Sequence, residues 1–131
     1  MLADKSALLG KSVLGVSALT FIAYGLLSLV APAIPAGLAG LKISNGDAFA
    51  EIGAMYGGLQ TGVGMFCLVA LLKEDFYKAG LMLLTLAIGA LALARLISFL
   101  LATDDVSTYT YGALAYEFTT AILATIALLK K

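Results

Sequence analysis

Residues 51–66 read EIGAMYGGLQTGVGMF, and this stretch decides how the rest of the chain is interpreted. It places one acid, one tyrosine and one glutamine inside a segment that otherwise has the composition of a membrane span. It also carries five glycines, a residue that lets membrane helices approach closely: Gly53, Gly57, Gly58, Gly62 and Gly64. We therefore expect a glycine-rich helix at the centre of the fold.

The composition around this stretch is that of a membrane protein. Of the 131 residues, 62% are hydrophobic, whereas soluble domains have about 45–50% apolar residues. A soluble domain of this length could not bury so much apolar surface. The chain is therefore predicted to be a small integral membrane protein.

Four apolar runs follow one another, at about residues 12–31, 49–72, 79–101 and 110–129. Each is close to the roughly 20 residues that cross a hydrocarbon core of about 30 Å. Because lipid offers no hydrogen bonds to the backbone, each run is predicted to be a helix. The first run is longer than the apolar core of a signal peptide, so we expect it to remain as a span. The prediction is an all-α four-helix bundle that forms a single transmembrane domain over residues 1–131.

The distribution of basic residues orients these spans. In an up-down-up-down order, six lysines lie on one side of the membrane: Lys5, Lys11, Lys73, Lys78, Lys130 and Lys131. The opposite side has only Lys42. Positive residues favour the cytoplasmic side. Both termini are therefore predicted to be cytoplasmic.

Three charged residues fall within the spans, where charge is costly and often functional: Glu51, Arg95 and Glu117. Arg95 lies about 9 Å below the outer end of the third span, and Glu117 lies about 10 Å below the start of the fourth. The two side chains could therefore meet as a bidentate pair. This pair could be purely structural and fix the register of the bundle, or it could be functional.

A polar site in the outer half of the bundle is predicted from residues expected at similar depths. Tyr24 is placed there on the first span, and Tyr56 and Gln60 are one helical turn apart on the second. Glu51 is either part of this site or an acid that reaches the interface and is favoured by the helix dipole. The full candidate set is Tyr24, Glu51, Tyr56, Gln60, Arg95 and Glu117.

The glycines of the second span are interpreted as helix-packing positions. With regular α-helical spacing, Glu51, Met55, Gly58 and Gly62 share one face. Gly53, Gly57, Gln60 and Gly64 lie roughly opposite. Small residues on both sides predict packed neighbours on both sides.

The residue types do not favour catalysis. The sequence contains no histidine and one cysteine, Cys67, and it has no phosphate-binding loop. We therefore expect no enzyme activity, no metal site and no cofactor. Because there is no basic run, nucleic acid is not expected as a partner.

Residues 51–58, EIGAMYGG, followed by Gly62-x-Gly64-x-Phe66, resemble a motif of a family of uncharacterised bacterial membrane proteins. This family is a domain-of-unknown-function group with four predicted spans. Its motif has Glu, an aliphatic residue, Arg, Ala, any residue, Tyr, Gly and Gly, and Gly53 stands at the arginine position. Arg95 and Glu117 match single positions in the third and fourth helices of the family. The resemblance covers about residues 24–131 and implies a bacterial inner membrane, but it implies no activity.

Two functions are consistent with these features. One is an accessory or interaction subunit of a larger membrane complex, with the lipid bilayer and other subunits or further copies of the chain as partners. The alternative is a binder or carrier of a small lipophilic or cationic ligand that uses the polar site in the outer half of the bundle.

Overall fold

The computed structural model describes residues 2–130, apart from the side chains of residues 2–4 and 6, and this range contains helices and no strand. Met1 and Lys131, the last of the six lysines used for the orientation, lie outside the described residues. The helices are α1 (Leu2–Val30), α2 (Ala33–Leu38), α3 (Gly46–Leu72), α4 (Glu74–Leu101) and α5 (Thr108–Leu129).

Four of the described helices, α1, α3, α4 and α5, are long and apolar enough to cross a membrane. In α1 the apolar part is Ala7–Val30. The prediction of an all-α protein with four helices long and apolar enough to span a membrane is thereby confirmed. The up-down-up-down order and the cytoplasmic termini stay predictions.

The helix ends differ from the predicted spans for local reasons. The α3 helix begins at Gly46, before the predicted residue 49, because the Asn45 side-chain oxygen accepts a 2.8 Å hydrogen bond from the Ala48 amide. Residues 74–78, which lie between the predicted spans 49–72 and 79–101, are helical. Lys73 is extended, and the first turn of α4, Glu74–Phe76, is a 3₁₀ turn. Lys73 is thus the single non-helical residue between α3 and α4.

Two of the spans contain a π-helical turn. The first, Gly53–Gly58, lies in α3, where the Leu59 amide donates to the Ala54 carbonyl five residues earlier. The second, Leu84–Ile88, lies in α4. A π turn accommodates an extra residue and changes which residues share a helix face.

The chain divides into two compact units. The α1–α3 unit contains residues 15–69, with the later part of α1, all of α2 and most of α3. Its core includes Ala18, Phe21 and Ile52. The α4–α5 unit contains residues 2–14 and 70–130 of the described range, and Leu81 and Leu84 are fully buried in it.

Helix directions within each unit follow from the paired residues. In the α1–α3 unit, Gly25 lies against Thr61 and Ile22 lies against Gly64, so α1 and α3 run antiparallel. In the α4–α5 unit, Arg95 contacts Glu117 and Thr85 contacts Thr125. The α4 and α5 helices are therefore antiparallel as well.

Candidate functional site

A bidentate ion pair joins α4 to α5. Arg95 Nε donates to Glu117 Oε1 and Arg95 Nη2 donates to Glu117 Oε2, each at 2.8 Å. The planar guanidinium therefore binds both oxygens of one carboxylate, which is the strong bidentate geometry. The Glu117 side chain is 7% exposed and the Arg95 side chain 26%. The predicted pairing is present and is largely shielded by protein.

The face of α5 that contains Glu117 is made of small and polar residues. Glu117, Thr120, Ala121 and Ala124 are all buried, at three- to four-residue spacing. Alanine and threonine are narrow enough to let α4 approach α5 closely. Ile122, on the opposite side of α5, is exposed. Helical spacing in the sequence therefore places Glu117 at the α4–α5 contact.

Two further contacts flank the ion pair along the same seam. On one side, the Phe99 and Tyr111 rings pack edge to face with centroids 5.5 Å apart, which is a preferred aromatic geometry. On the other side, the Thr125 hydroxyl donates to the Ala121 carbonyl at 2.7 Å and lies 3.2 Å from the Thr85 hydroxyl. The ion pair is therefore the central contact of a seam that extends in both directions.

The pairing fixes the electrostatics of this seam. The guanidinium and the carboxylate neutralise each other, and both oxygens of Glu117 accept hydrogen bonds from Arg95. A neutral, hydrogen-bonded pair costs far less in hydrocarbon than either charge alone. Chemically, this arrangement holds two helices in one register.

The α1–α3 seam is built on glycines. A Cβ atom placed on Gly25 would overlap the Thr61 hydroxyl and lie 2.7 Å from the Thr61 amide nitrogen. A Cβ atom on Gly64 would lie 2.7 Å from the Ile22 amide nitrogen, and one on Gly57 would lie 2.6 Å from Leu29 Cδ2. Because two of these clashes involve backbone atoms, Gly25 and Gly64 allow a helix approach that a side chain would prevent.

The remaining predicted polar residues belong to the α1–α3 unit. Tyr24, Tyr56 and Gln60 are half-buried and Glu51 is exposed. The Ser28 hydroxyl donates to the Tyr24 carbonyl at 2.8 Å, one turn earlier on α1. Arg95 and Glu117 belong to the other unit. The convergence of all six residues in one site therefore stays a prediction.

Four of the five glycines of α3 fall into two groups by burial, and the fifth, Gly53, is half-buried. Gly57 and Gly64 are buried in the α1–α3 seam. By contrast, Gly58 and Gly62 are exposed. A Cβ atom at Gly53 or Gly62 would meet no atom of residues 15–69 within 4 Å, and one at Gly58 would meet only the Gly53 carbonyl oxygen, at 3.8 Å. Within this unit, the close approach of α1 and α3 therefore uses Gly57 and Gly64, and it does not use Gly58 or Gly62.

Two alanines extend the exposed glycines into a longer row. The residues Ala50, Ala54, Gly58 and Gly62 are all exposed and are spaced four apart. We call these four residues the small-residue row. In a regular α-helix, a row at this spacing drifts by about 40° per step. The π turn at Gly53–Gly58 turns the chain less per residue and offsets part of that drift.

The π turn also changes the predicted face of α3. Regular spacing placed Glu51 on the face of Gly58 and Gly62. The extra residue accommodated in the turn rotates the later residues of α3 by about 100°, the angle of one residue. Ile52 and Gly57, five residues apart, are consequently both buried. Glu51 therefore lies to the side of the small-residue row.

Sequence reasoning did not single out Gly25, Ala50 or Ala54. A glycine in the middle of an apolar span is itself a signal of close helix approach, so Gly25 could have been found. The two alanines carry a weaker signal, because alanine is common in every helix. Only their exposure and the π turn identify the row.

Among the side chains that the structure describes, no group of three or more His, Cys, Asp or Glu residues is placed to hold a metal ion.

Four helices that are long and apolar enough to cross a membrane are typical of a multi-pass, all-helical membrane protein. A family model described as a domain of unknown function, DUF4345, matches residues 10–128. The chain belongs to this family, which confirms the expectation of an uncharacterised family. No curated protein and no solved structure matches the chain.

Proposed function

We propose that this protein is an accessory or interaction subunit of a larger membrane complex. The observation that carries the proposal is the exposed small-residue row of α3. The close approach between α1 and α3 uses Gly25, Gly57 and Gly64 instead. The row is therefore left available for a helix from another chain.

The physics of helix association in lipid supports this use of the row. Apolar surface alone does not drive two helices together in a bilayer, because lipid tails are as apolar as leucine. Small residues at four-residue spacing allow close backbone contact and van der Waals packing along a groove. The row extends from Ala50 to Gly62, about 18 Å along the helix axis. That length corresponds to about three turns of a helix.

The proposed setting is a bacterial inner membrane, with both termini in the cytoplasm. The partner is either a different subunit or a second copy of this chain. In both cases the partner supplies a transmembrane helix that packs across Gly58 and Gly62.

A mild-detergent purification from native membranes tests the proposal. Wild-type protein should retain partners or a second copy, and the double variant Gly58→Leu/Gly62→Leu should lose them. Because neither glycine is closely packed within residues 15–69, we expect this variant to stay folded. Ala90→Leu is the matched control, since Ala90 is a small exposed residue of α4. Wild-type protein that remains a monomer across several detergents and lipids would contradict the proposal.

A second candidate function is the binding or carriage of a small lipophilic or cationic ligand. It is favoured by half-buried Tyr56 and Gln60 in α3 and by Thr61, whose buried hydroxyl has no hydrogen-bond partner among the described residues. Because Arg95 already occupies both carboxylate oxygens of Glu117, the polar groups of the α1–α3 unit are the better candidates for ligand contact.

Binding of radiolabelled tetraphenylphosphonium to protein in nanodiscs tests this second function. Tetraphenylborate, an anion of similar size, serves as the matched probe. A cation site at Glu51 predicts binding of the cation that Glu51→Gln weakens by about tenfold. Equal binding of both probes, or no effect of the substitution, would exclude such a site.

A further inference from the structure

The connection between α1 and α3 has one apolar, exposed side. Val30 is 85% exposed, Ile34 52%, Leu38 54% and Leu41 43%. The opposite side of α2 faces protein, since Pro35 is fully buried and Ala36 is 2% exposed. This short helix is therefore apolar throughout, with one side buried and with Ile34 and Leu38 on a side that no described residue covers.

Backbone hydrogen bonds fix this connection to the end of α1. The Ala31 amide donates to the Leu27 carbonyl at 2.7 Å, and the Ile34 amide donates to the Ala31 carbonyl at 3.1 Å. At the other end, the Leu41 amide donates to the Ala36 carbonyl at 2.7 Å, across Gly40, whose positive φ of 74° suits glycine. The exposed apolar side therefore has a fixed position.

That position is next to the predicted membrane boundary. The α2 helix begins three residues after Val30, the last residue of a helix long and apolar enough to cross a membrane, and the next such helix, α3, begins at Gly46. Val30 at the end of α1 and Ile34 and Leu38 in α2 are all apolar and exposed, so exposed apolar side chains are present on both sides of the break between the two helices. Interfacial helices place such a side about 5–10 Å into the boundary between headgroups and acyl chains.

The charge of the segment fits the same location. Lys42 is the only charged residue between Val30 and Asp47, and it is exposed. A lysine stem can lie along apolar surface while its ammonium group reaches lipid phosphates. The segment therefore has apolar residues that suit the acyl chains of a lipid leaflet, followed by a cation that suits its phosphate headgroups.

We propose that α2 is an in-plane lipid-binding element. Ile34 and Leu38 insert among the acyl chains, and Lys42 contacts lipid phosphates. The occupant of this surface is the phospholipid leaflet. The inference concerns α2 and is independent of the small-residue row of α3, so either proposal can fail without the other.

Fluorescence quenching in nanodiscs tests the proposal. In a Cys67→Ala background, a bimane label is attached at Leu38→Cys or, as the matched control, at Ser44→Cys. Both residues are exposed, but Ser44 is polar and follows Lys42. Lipids with a spin label near the headgroup end of the acyl chain report lipid contact, and iodide reports water contact.

The proposal predicts that spin-labelled lipid quenches the residue-38 label at least about threefold more strongly than the residue-44 label, with iodide quenching in the reverse order. Equal iodide quenching at both positions would overturn it, because residue 38 would then face water. Shielding from iodide without lipid quenching would also overturn it, because protein would then cover the surface. Circular dichroism of each labelled variant confirms that the helices are intact.

Discussion

Arg95 and Glu117 lie 22 positions apart in the sequence and meet through two 2.8 Å hydrogen bonds that use both oxygens of one carboxylate. The contact joins α4 to α5 and is flanked by the Phe99–Tyr111 ring contact and the Thr85–Thr125 contact. A pair of this geometry neutralises two charges that would each be costly in hydrocarbon. Its first consequence is that each residue should stabilise the protein only while the other is present.

Removing one member of the pair should be far worse than removing both. Arg95→Leu or Glu117→Leu leaves an uncompensated charge that is largely shielded from water, and we expect each to lower the free energy of unfolding by about 3–5 kcal/mol. The double variant Arg95→Leu/Glu117→Leu should recover most of that loss. Thermal unfolding in a fixed lipid or detergent measures all three variants.

The result of this double-mutant cycle separates the two interpretations of the pair. Recovery of stability in the double variant indicates a structural contact. If the double variant is as unstable as the two single effects added together, the two residues act independently and the pairing does not explain why they are present.

The α1–α3 seam should tolerate no side chain at Gly25. A Cβ atom there would lie 2.7 Å from the Thr61 amide nitrogen and 2.9 Å from the Gly57 carbonyl oxygen, and both are backbone atoms. We expect Gly25→Ala to reduce the free energy of unfolding by about 1–3 kcal/mol, as overpacking does. Gly62→Ala is the matched control and should be close to neutral. Equal effects at the two glycines would refute the assignment of Gly25 to the seam.

The threonine contact between α4 and α5 should contribute much less than the ion pair. The Thr125 hydroxyl already donates to the Ala121 carbonyl of its own helix, so Thr85→Val removes only the 3.2 Å contact. Polar contacts between membrane helices average about 0.6 kcal/mol, and we expect a loss of that size. A loss comparable to that of Arg95→Leu would show that the threonines, rather than the ion pair, hold the seam.

The orientation of the chain can be measured with cysteine labels. Positive-inside bias places Lys42 outside and Lys78 in the cytoplasm. In a Cys67→Ala background, an impermeant maleimide added to intact cells should label Lys42→Cys and leave Lys78→Cys unlabelled until the membrane is opened. Labelling of position 78 alone in intact cells would invert the predicted orientation.

Much of this architecture follows from the sequence because the bilayer imposes strong rules. Four apolar runs of suitable length leave helices as the economical solution. The meeting of Arg95 and Glu117 followed from counting residues inward from two helix ends, since antiparallel neighbours share a level at the membrane boundary. The buried side of α5 followed from the spacing of its small residues.

The two π turns could not be predicted in the same way. Nothing in the residue pattern at 53–58 distinguishes a π turn from a regular helical turn. The π turn places both Ile52 and Gly57 in buried positions, and this depends on how the helices pack. This extra residue moved Glu51 away from the face of Gly58 and Gly62. The exposure of Gly58 and Gly62 likewise depends on which helices pack against α3. A single sequence does not contain that information.

The small-residue row of α3 is proposed to be covered by a helix from another chain, and site-specific photo-crosslinking in native membranes tests this most directly. A photoreactive amino acid replaces Ala54 in one variant and Ala90, the exposed α4 control residue, in another. We expect protein–protein crosslinks from position 54 that Gly62→Leu abolishes, and none from position 90. Crosslinks to lipid alone from position 54, or equal protein crosslinks from both positions, would contradict the proposed interface.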